Sequence, residues 1–307
     1  MKIVIPGGSG QVGHILARHF HAHGAEVVAF SRTPRPRPWR VVQWNAAELE
    51  NSDVCINLTG RSVNCRYTAA NRREIVESRV ASTRLLGRVI ASLHHPPAVW
   101  MNASTATIYR HSLDRDMDET GELGGDEPGA PSTWNFSISV AKQWEAAFFG
   151  CETPRTRQVA LRSAMTFSPD RGGVFDEFLR LVRFGMGGAQ GPGTQYVSWI
   201  HEHDFIRAIE FLISREDMTG VVNVSSPHPL PNRDFMRALR QAWGTSIGPP
   251  IPKPLIEFGA WLMRTESELV LKSRRAVPGR LQAAGFEVEF PEWPAAAREL
   301  VARWRAS

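Results

Sequence analysis

The chain has 307 residues, with 36 basic and 31 acidic side chains and a net charge of +5. This length suits one large domain or two modest ones with a substantial buried core. The charges are spread along the chain without blocks of one sign, so neither nucleic-acid nor membrane binding is predicted.

The three cysteines, Cys55, Cys65 and Cys151, follow no ligand or disulfide spacing. This usage argues against a zinc site or a disulfide framework and fits a reducing compartment. No apolar run has the length of a membrane span. The chain starts with a predicted core strand rather than a signal peptide, so a cytoplasmic protein is expected.

The amino terminus is the most informative segment, because a short apolar run leads directly into glycines and then into a helix-like stretch. The glycines are Gly7, Gly8, Gly10 and Gly13. The first permits a tight turn, the middle ones let backbone N–H groups approach a pyrophosphate, and the last lets helix and strand pack closely. The pyrophosphate would lie at the helix N-terminus, where unpaired N–H groups favour an anion. A glycine-rich structural turn is the alternative interpretation.

A second strand is predicted at 26–30, and its end is where an acidic residue would bind the ribose 2′-OH of NAD. This chain has Ser31-Arg32 there, and three further arginines follow among prolines: Arg35, Arg37 and Arg40. A guanidinium suits a 2′-phosphate, which it contacts through paired N–H donors. We therefore expect NADP as the cofactor, with Arg32 as the main contact. The later arginines could equally form a solvated basic loop.

The first half of the chain alternates between strand-like and helix-like segments. Strands are predicted at 2–5, 26–30, 40–44, 53–58, 97–103 and 157–162, and helices at 11–23, 71–94 and 134–149. This alternation predicts an α/β fold with a Rossmann-type doubly wound parallel sheet covered by helices on both faces.

The pattern changes after about residue 164, where a glycine-rich segment precedes a short apolar run. A helix at 204–214 and one more strand at 221–225 follow. We predict a dinucleotide-binding domain formed by 1–164 and 198–225. A smaller, discontinuous C-terminal substrate domain is predicted for 165–197 and 226–307.

Four segments together carry a family resemblance: Gly7-x-x-Gly10-x-x-Gly13, Asn57-Leu-Thr-Gly60, Ser104-Thr-Ala-Thr-Ile-Tyr109 and Trp199-Ile-His-Glu-His-Asp204. They resemble the glycine pattern, the N-x-A-G element and two further motifs of the extended and atypical short-chain dehydrogenase/reductase superfamily. The stretches Tyr67–Arg79, Trp144-Glu145 and Pro278–Phe286 are similar to one subgroup, the epimerase family with a C-terminal domain of unknown function. The resemblance spans nearly the whole chain.

The resemblance implies a Rossmann fold and NADP binding but names no substrate. The residues that it and the glycine pattern assign to the cofactor are Gly7, Gly10, Gln11, Val12, Gly13, Ser31, Arg32, Leu58, Thr59, Gly60 and Lys142. No metal ligands are predicted. Helices 71–94 and 134–149 could form the four-helix dimer of the superfamily, so a monomer and a homodimer both stay open.

In the superfamily, a tyrosine transfers the proton, a lysine four residues later lowers its pKa, and a serine or threonine orients the substrate oxygen. Lys142 matches the lysine and Thr105 the hydroxyl residue, but Ile138 stands where the tyrosine is expected. An isoleucine carries no proton to transfer, so the usual dyad is absent. Tyr109 is the first candidate for a replacement acid. A structural role for Tyr109, packed against the following loop with one hydrogen bond, is the alternative.

Two functions follow from these observations. The first is an NADP-dependent oxidoreductase or epimerase-like enzyme acting on a small hydroxyl or carbonyl compound, with sugar-like compounds among the candidates. Thr105, Tyr109 and Lys142 would be its catalytic residues. The second is an NADP(H)-binding redox sensor or scaffold without turnover, which the isoleucine at position 138 keeps open.

Overall fold

The computed structural model of the protein describes residues 1–262 and 266–307. The strands are β1 (Lys2–Pro6), β2 (Glu26–Phe30), β3 (Arg40–Val42), β4 (Val54–Asn57), β5 (Val99–Thr105), β6 (Arg157–Ser163), β7 (Met165–Phe167), β8 (Tyr196–Val197), β9 (Trp199–His201), β10 (Gly220–Val224) and β11 (Leu230–Pro231). The helices are α1 (Gln11–Ala22), α2 (Ala69–Ser92), α3 (Ser132–Phe149), α4 (Val174–Arg183), α5 (Glu202–Ser214), α6 (Asn232–Trp243), α7 (Lys253–Leu262), α8 (Glu268–Leu271), α9 (Gly279–Ala283) and α10 (Trp293–Ala306). Within these two ranges, no helix combines the length and apolar character that crossing a membrane requires.

A seven-stranded sheet forms the centre of the molecule, in the order β10-β6-β5-β4-β1-β2-β3. All of its neighbouring strands are parallel. The strand order changes direction between β1 and β4, which opens a crevice at their carboxyl ends where such sheets bind ligands. The predicted Rossmann-type doubly wound sheet is confirmed.

The two faces of the sheet are covered by different helices, and the alternation of side chains along β1 explains why. Ile3 and Ile5 pack with α1 and α5 on one face, whereas Val4 packs with α2 and α3 on the other. Successive side chains of a strand point to opposite faces, so an uninterrupted apolar run buries both.

A second apolar cluster draws its residues from β7, β9, α4, α6 and α10. At its centre, the rings of Phe235 and Trp293 stack with their centroids 4.3 Å apart. Most of these segments belong to the predicted substrate domain, although Trp199 of β9 comes from the other part of the chain. The division into two domains stays a prediction.

The segment after α8 returns to the loop that follows β5. The Met117 N–H donates to the Arg275 carbonyl at 2.7 Å, and the Val277 N–H donates to the Met117 carbonyl at 2.9 Å. The Arg274 N–H donates to the Tyr196 carbonyl at 2.9 Å. This backbone pairing carries the side chains of Lys272 and Arg274 to the carboxyl end of the sheet, where both contact Thr107.

Candidate dinucleotide and substrate site

The glycine turn between β1 and α1 is packed backbone against backbone. Gly7 has a φ of +78°, and a Cβ atom there would lie 2.6 Å from the carbonyl carbon of Leu58. A Cβ atom on Gly13 would lie 2.6 Å from the Cα atom of Gly8. Both positions therefore exclude any side chain, which is the geometry expected of a dinucleotide-binding turn.

The first turn of α1 fits an anion. Gly10 precedes the helix with no side-chain cap, and the first turn contains no acidic residue. The N–H groups of Gln11, Val12 and Gly13 consequently point out of the helix end without an intrahelical acceptor. The Gln11 Nε2 atom is also buried with no hydrogen-bond partner. These unpaired donors fit a phosphate-bearing ligand.

The loop after β4 lies against this turn and is fixed by Asn57. The Asn57 Oδ1 atom accepts from the Thr59 N–H at 3.1 Å and from the Thr59 hydroxyl at 2.6 Å. The Asn57 amide donates in turn to Asn102 Oδ1 at 2.6 Å on the neighbouring strand. The backbone of Leu58 and Thr59 is thereby held beside Gly7.

The basic segment after β2 divides into two kinds of arginine. Arg32 is exposed, next to a Ser31 whose hydroxyl closes a turn with Thr33. Arg40 instead contacts Glu48 at 2.7 Å and Glu26 at 3.3 Å, so its charge is already paired. Arg32 is thus available to a ligand, whereas Arg40 forms ion pairs with Glu26 and Glu48 on the protein surface.

A cavity of about 250 Å³ opens beside the cofactor segments. It is bounded by α2, α3, the ends of β5 and β6, and the C-terminal segment. Thr105 lines it, and its Oγ1 atom accepts from the Thr107 N–H at 3.2 Å. Gly60 adjoins it, because a Cβ atom on Gly60 would lie 3.0 Å from the Cζ atom of Arg79, another lining residue.

A chain of three polar side chains crosses one wall of the cavity. The Ser137 hydroxyl donates to Glu268 Oε2 at 2.5 Å and lies 3.3 Å from the Tyr67 hydroxyl. Burial raises the pKa of Glu268 despite the opposing charge of Arg274, whose Nη2 atom is 3.8 Å from Glu268 Oε1. Burial also raises the pKa of Tyr67. Glu268 is therefore a carboxyl group that can hold a proton at higher pH than usual.

Two cations of the C-terminal segment buttress this wall. The Lys272 ammonium donates to the Thr107 carbonyl at 2.7 Å, and burial together with Arg274 lowers the pKa of Lys272 to about 7. The Arg274 Nε atom donates to the Thr107 hydroxyl at 3.1 Å. Both side chains are buried, so they tie the short helical turn after Thr105 to the C-terminal segment.

Ile138 and Lys142, which match the usual dyad, do not line the cavity. Ile138 is buried, and Cβ atoms on Gly124 and Gly125 would lie 2.8 and 3.2 Å from its side chain. The lining residues of α3 are instead Ser137, Val140, Ala141 and Trp144. Lys142 is exposed and does not line the cavity.

Tyr109 is not brought into the cavity, contrary to what its role as a replacement acid would need. It is buried, and its hydroxyl donates to Asn223 Oδ1 at 2.7 Å and accepts from Arg162 Nη1 at 3.0 Å. Burial raises its pKa. The Tyr109 proton is donated to the buried Asn223 amide, so it is not directed at the cavity. This arrangement favours a structural role for Tyr109.

Behind the cavity, a buried ion pair supports the ends of β5 and β6. Arg162 contacts Glu145 through two parallel hydrogen bonds of 2.8 and 2.7 Å. The Ser104 hydroxyl donates to the same carboxylate at 2.6 Å. The pair is fully hydrogen-bonded, so it fixes the position of α3 against the sheet.

Sequence reasoning missed Tyr67, Arg79 and Glu268 as cavity residues. Tyr67 and Arg79 lie in the stretch whose resemblance to one subgroup was noted, and the chain has only three tyrosines. Those two signals together could have singled out Tyr67. No signal in the sequence connects Glu268 to Ser137, 131 residues earlier, because the contact exists only after folding.

Comparison with known proteins places the chain in a class. The family model described as "NAD dependent epimerase/dehydratase family" matches residues 3–225, and one described as "Domain of unknown function (DUF1731)" matches residues 251–300. The chain belongs to the NAD dependent epimerase/dehydratase family. The predicted combination of an epimerase-like part with a C-terminal domain of unknown function is thus confirmed.

Individual relatives match over nearly the whole chain. "Epimerase family protein SDR39U1" of Bos taurus is 32% identical, covering 98% of this chain and 100% of the relative. The crystal structure of human epimerase family protein SDR39U1 with NADPH superimposes with a TM-score of 0.86 at 29% identity, covering 98% of this chain and 99% of that one. UDP-N-acetylglucosamine 4-epimerase from Bacillus cereus shares the fold, with a TM-score of 0.75 at 14% identity and 99% of each chain covered.

Proposed function

We propose that the protein is an NADP(H)-dependent, epimerase-like oxidoreductase that interconverts a small hydroxyl compound and its carbonyl counterpart. One observation carries this proposal. A cavity with a threonine hydroxyl and a proton-holding carboxyl group on its walls adjoins the loop of Gly60, which belongs to the candidate cofactor site.

The choice of NADP rests on Arg32 and on the absence of an acidic residue at the end of β2. A free guanidinium favours a 2′-phosphate, and a carboxylate in its place would repel one. The human relative that shares this fold was crystallised with NADPH, which supports the same choice.

The chain's own residues would supply binding and proton transfer. When bound, the nicotinamide supplies or accepts the hydride. Thr105 would donate a hydrogen bond to the substrate oxygen, and Lys142 would contact the nicotinamide ribose. The proton would come from protonated Glu268, whose Oε2 atom lies 2.5 Å from Ser137 Oγ. Ser137 would take that proton as it passes its own to the substrate oxygen, which leaves Glu268 as a carboxylate.

The cavity limits the size of the substrate. Its volume of about 250 Å³ is at the low end for ligand sites, which usually span roughly 300–1,000 Å³. The fold is shared with an enzyme whose name includes a nucleotide sugar, but a volume of about 250 Å³ favours a smaller substrate. A small molecule with one hydroxyl or carbonyl group fits better.

Cofactor titration tests the first half of the proposal. Wild-type protein should bind NADPH more tightly than NADH, and Arg32→Glu should weaken NADPH binding roughly tenfold, as expected for one lost charge contact of about 1.4 kcal/mol. Arg88→Glu, an exposed charge reversal on α2, is the matched control and should leave binding unchanged. Equal affinity for the two reduced coenzymes would contradict the assignment.

Turnover tests the second half. Oxidation of NADPH should be measured against a panel of small aldehydes, ketones and 2-oxo acids, and at least one should be reduced. Saturable NADPH binding with no turnover across the panel would instead support the redox-sensor alternative.

A further inference from the structure

Arg79 is a half-buried cation with no counter-ion among the described residues. Its Nη1 atom donates to the Ile75 carbonyl at 3.0 Å, and its guanidinium stacks over the Trp144 ring with 5.0 Å between Cζ and the ring centroid. In the part of the chain that the structure describes, no other acceptor and no carboxylate contacts this guanidinium. Burial lowers the pKa of Arg79 to about 10, because the charged form loses part of its hydration.

Two arginines of β6, Arg157 and Arg162, have several acceptors within the chain. Arg162 is held by both oxygens of Glu145. Arg157 donates to the carbonyl oxygens of three residues, Leu212, Ile213 and Met218. Removing a charge from water without such partners lowers the stability of the fold, unless a ligand supplies the missing partner. Among the described residues, Arg79 therefore differs from these two arginines in having a single carbonyl acceptor and no carboxylate.

The guanidinium of Arg79 faces the candidate substrate cavity. It lies against Gly60, where any side chain would collide with it at 3.0–3.3 Å. Glu268 is the one carboxyl group among the described lining residues, and it is already engaged by Ser137 and lies near Arg274. The cavity thus holds an excess of positive charge, which favours an anionic ligand.

We propose that Arg79 binds the carboxylate of a small hydroxy or oxo acid, which would be the substrate class of this cavity. The inference rests on the proposed function of the cavity and narrows it. A planar guanidinium presents paired N–H donors that match a carboxylate. The aromatic rings of Tyr67, Phe136 and Trp144 would contact the apolar part of the acid. The second possible source of an anion is a phosphate of the dinucleotide, because Gly60 is also a candidate cofactor residue.

Two probes of nearly the same shape isolate the charge. Benzoate and its neutral isostere benzamide are titrated by calorimetry into the NADP⁺-loaded protein. Wild-type protein should bind benzoate at least tenfold more tightly than benzamide, whereas Arg79→Met should bind both equally weakly. Arg79→Lys should give an intermediate preference, because it keeps the charge but loses the paired donors.

Matched measurements separate the two anion sources. Arg84→Met removes an exposed arginine from the same helix and should leave both titrations unchanged. The NADPH dissociation constant of Arg79→Met should equal that of the wild type. A tenfold weaker NADPH constant would assign Arg79 to a cofactor phosphate and overturn the proposal.

The remaining outcomes distinguish this inference from the proposed function. Equal binding of the two probes to the wild type, or binding of neither, would overturn the carboxylate assignment while NADPH binding stands. Failure of the wild type to bind NADPH would overturn the proposed function itself. If Arg79→Met does not fold, the Arg79→Lys titration still decides, because loss of the paired donors must reduce the preference.

Discussion

The glycine turn at residues 7–13 and the cavity between α2, α3 and the C-terminal segment are built in opposite ways. In the turn, backbone approaches backbone, and the specificity lies in what is missing: Gly7 and Gly13 have no room for a Cβ atom. In the cavity, side chains from distant parts of the chain meet, with Tyr67, Ser137 and Glu268 forming one hydrogen-bonded wall. The glycines of the turn cannot be replaced without moving the backbone. The side chains that line the cavity can be replaced by others while the fold stays the same.

Under the proposed function, this difference would allow the family's usual proton donor to be absent. At position 138 an isoleucine packs under Gly124 and Gly125, and the carboxyl group facing the cavity comes from α8 instead. Electrostatic function depends on where a group lies, not on its place in the sequence. The glycine turn offers no comparable substitute, since no other residue type removes a Cβ atom.

The largest effect should come from the turn. Gly7→Ala places a Cβ atom 2.6 Å from the Leu58 backbone, so the loop that carries Leu58 and Thr59 must move. A displacement of about 1 Å at a binding site can cost on the order of 100-fold, and NADPH binding should weaken at least that much. Fluorescence titration with NADPH measures the loss.

Gly24→Ala is the control, because Gly24 has nearly the same φ, +79°, but nothing within 4 Å of its Cβ position. It should lower the free energy of unfolding by only about 1–2 kcal/mol, because alanine is strained at this positive φ. NADPH binding should be unchanged. Equal loss of NADPH binding in the two variants would mean that backbone strain, and not the close approach, governs the turn.

The next effect concerns the cavity wall. Glu268→Gln keeps the shape but removes the proton, so kcat for the best carbonyl substrate should fall by about 10²–10⁴, as for loss of a general acid. Wild-type reduction should slow as the pH rises through the raised pKa of Glu268, and the variant should lack that dependence. Glu77→Gln, an exposed carboxylate on α2, should change neither. An unaltered pH profile in Glu268→Gln would remove the carboxyl group from the mechanism.

The smallest effect concerns stability. The pKa of Lys272 is about 7 in the folded protein against 10.5 in the unfolded chain, so between these values the unfolded state binds more protons. The free energy of unfolding should therefore rise with pH in this window, by up to about 1.4 kcal/mol per pH unit. Lys272→Met should flatten that slope, measured by urea denaturation at several pH values. Lys253→Met, at an exposed lysine, should retain the wild-type slope; the same slope in both variants would contradict the burial effect.

The two tyrosines at positions 67 and 109 show how far the sequence could lead. Tyr109 belongs to a recognisable motif, yet its hydroxyl is taken by Asn223, which lies 114 residues later. Tyr67 belongs to a less familiar stretch, yet it lines the cavity and lies within hydrogen-bond distance of Ser137, 70 residues later. Motif resemblance drew attention to both segments. It could not supply the hydrogen-bond partners, because these arrive from other elements during folding.

The order of strands and helices, the glycine turn and the membership of an epimerase-like family could be predicted from the amino-acid sequence, because each depends on residues close together in the chain. Alternating apolar residues specify strands, and glycines specify where backbones can touch. The cavity, its carboxyl group and the position of Arg79 on its wall were decided only by the tertiary structure. Burial and charge pairing are properties of neighbours in space, and the return of the C-terminal segment to the end of β5 creates them.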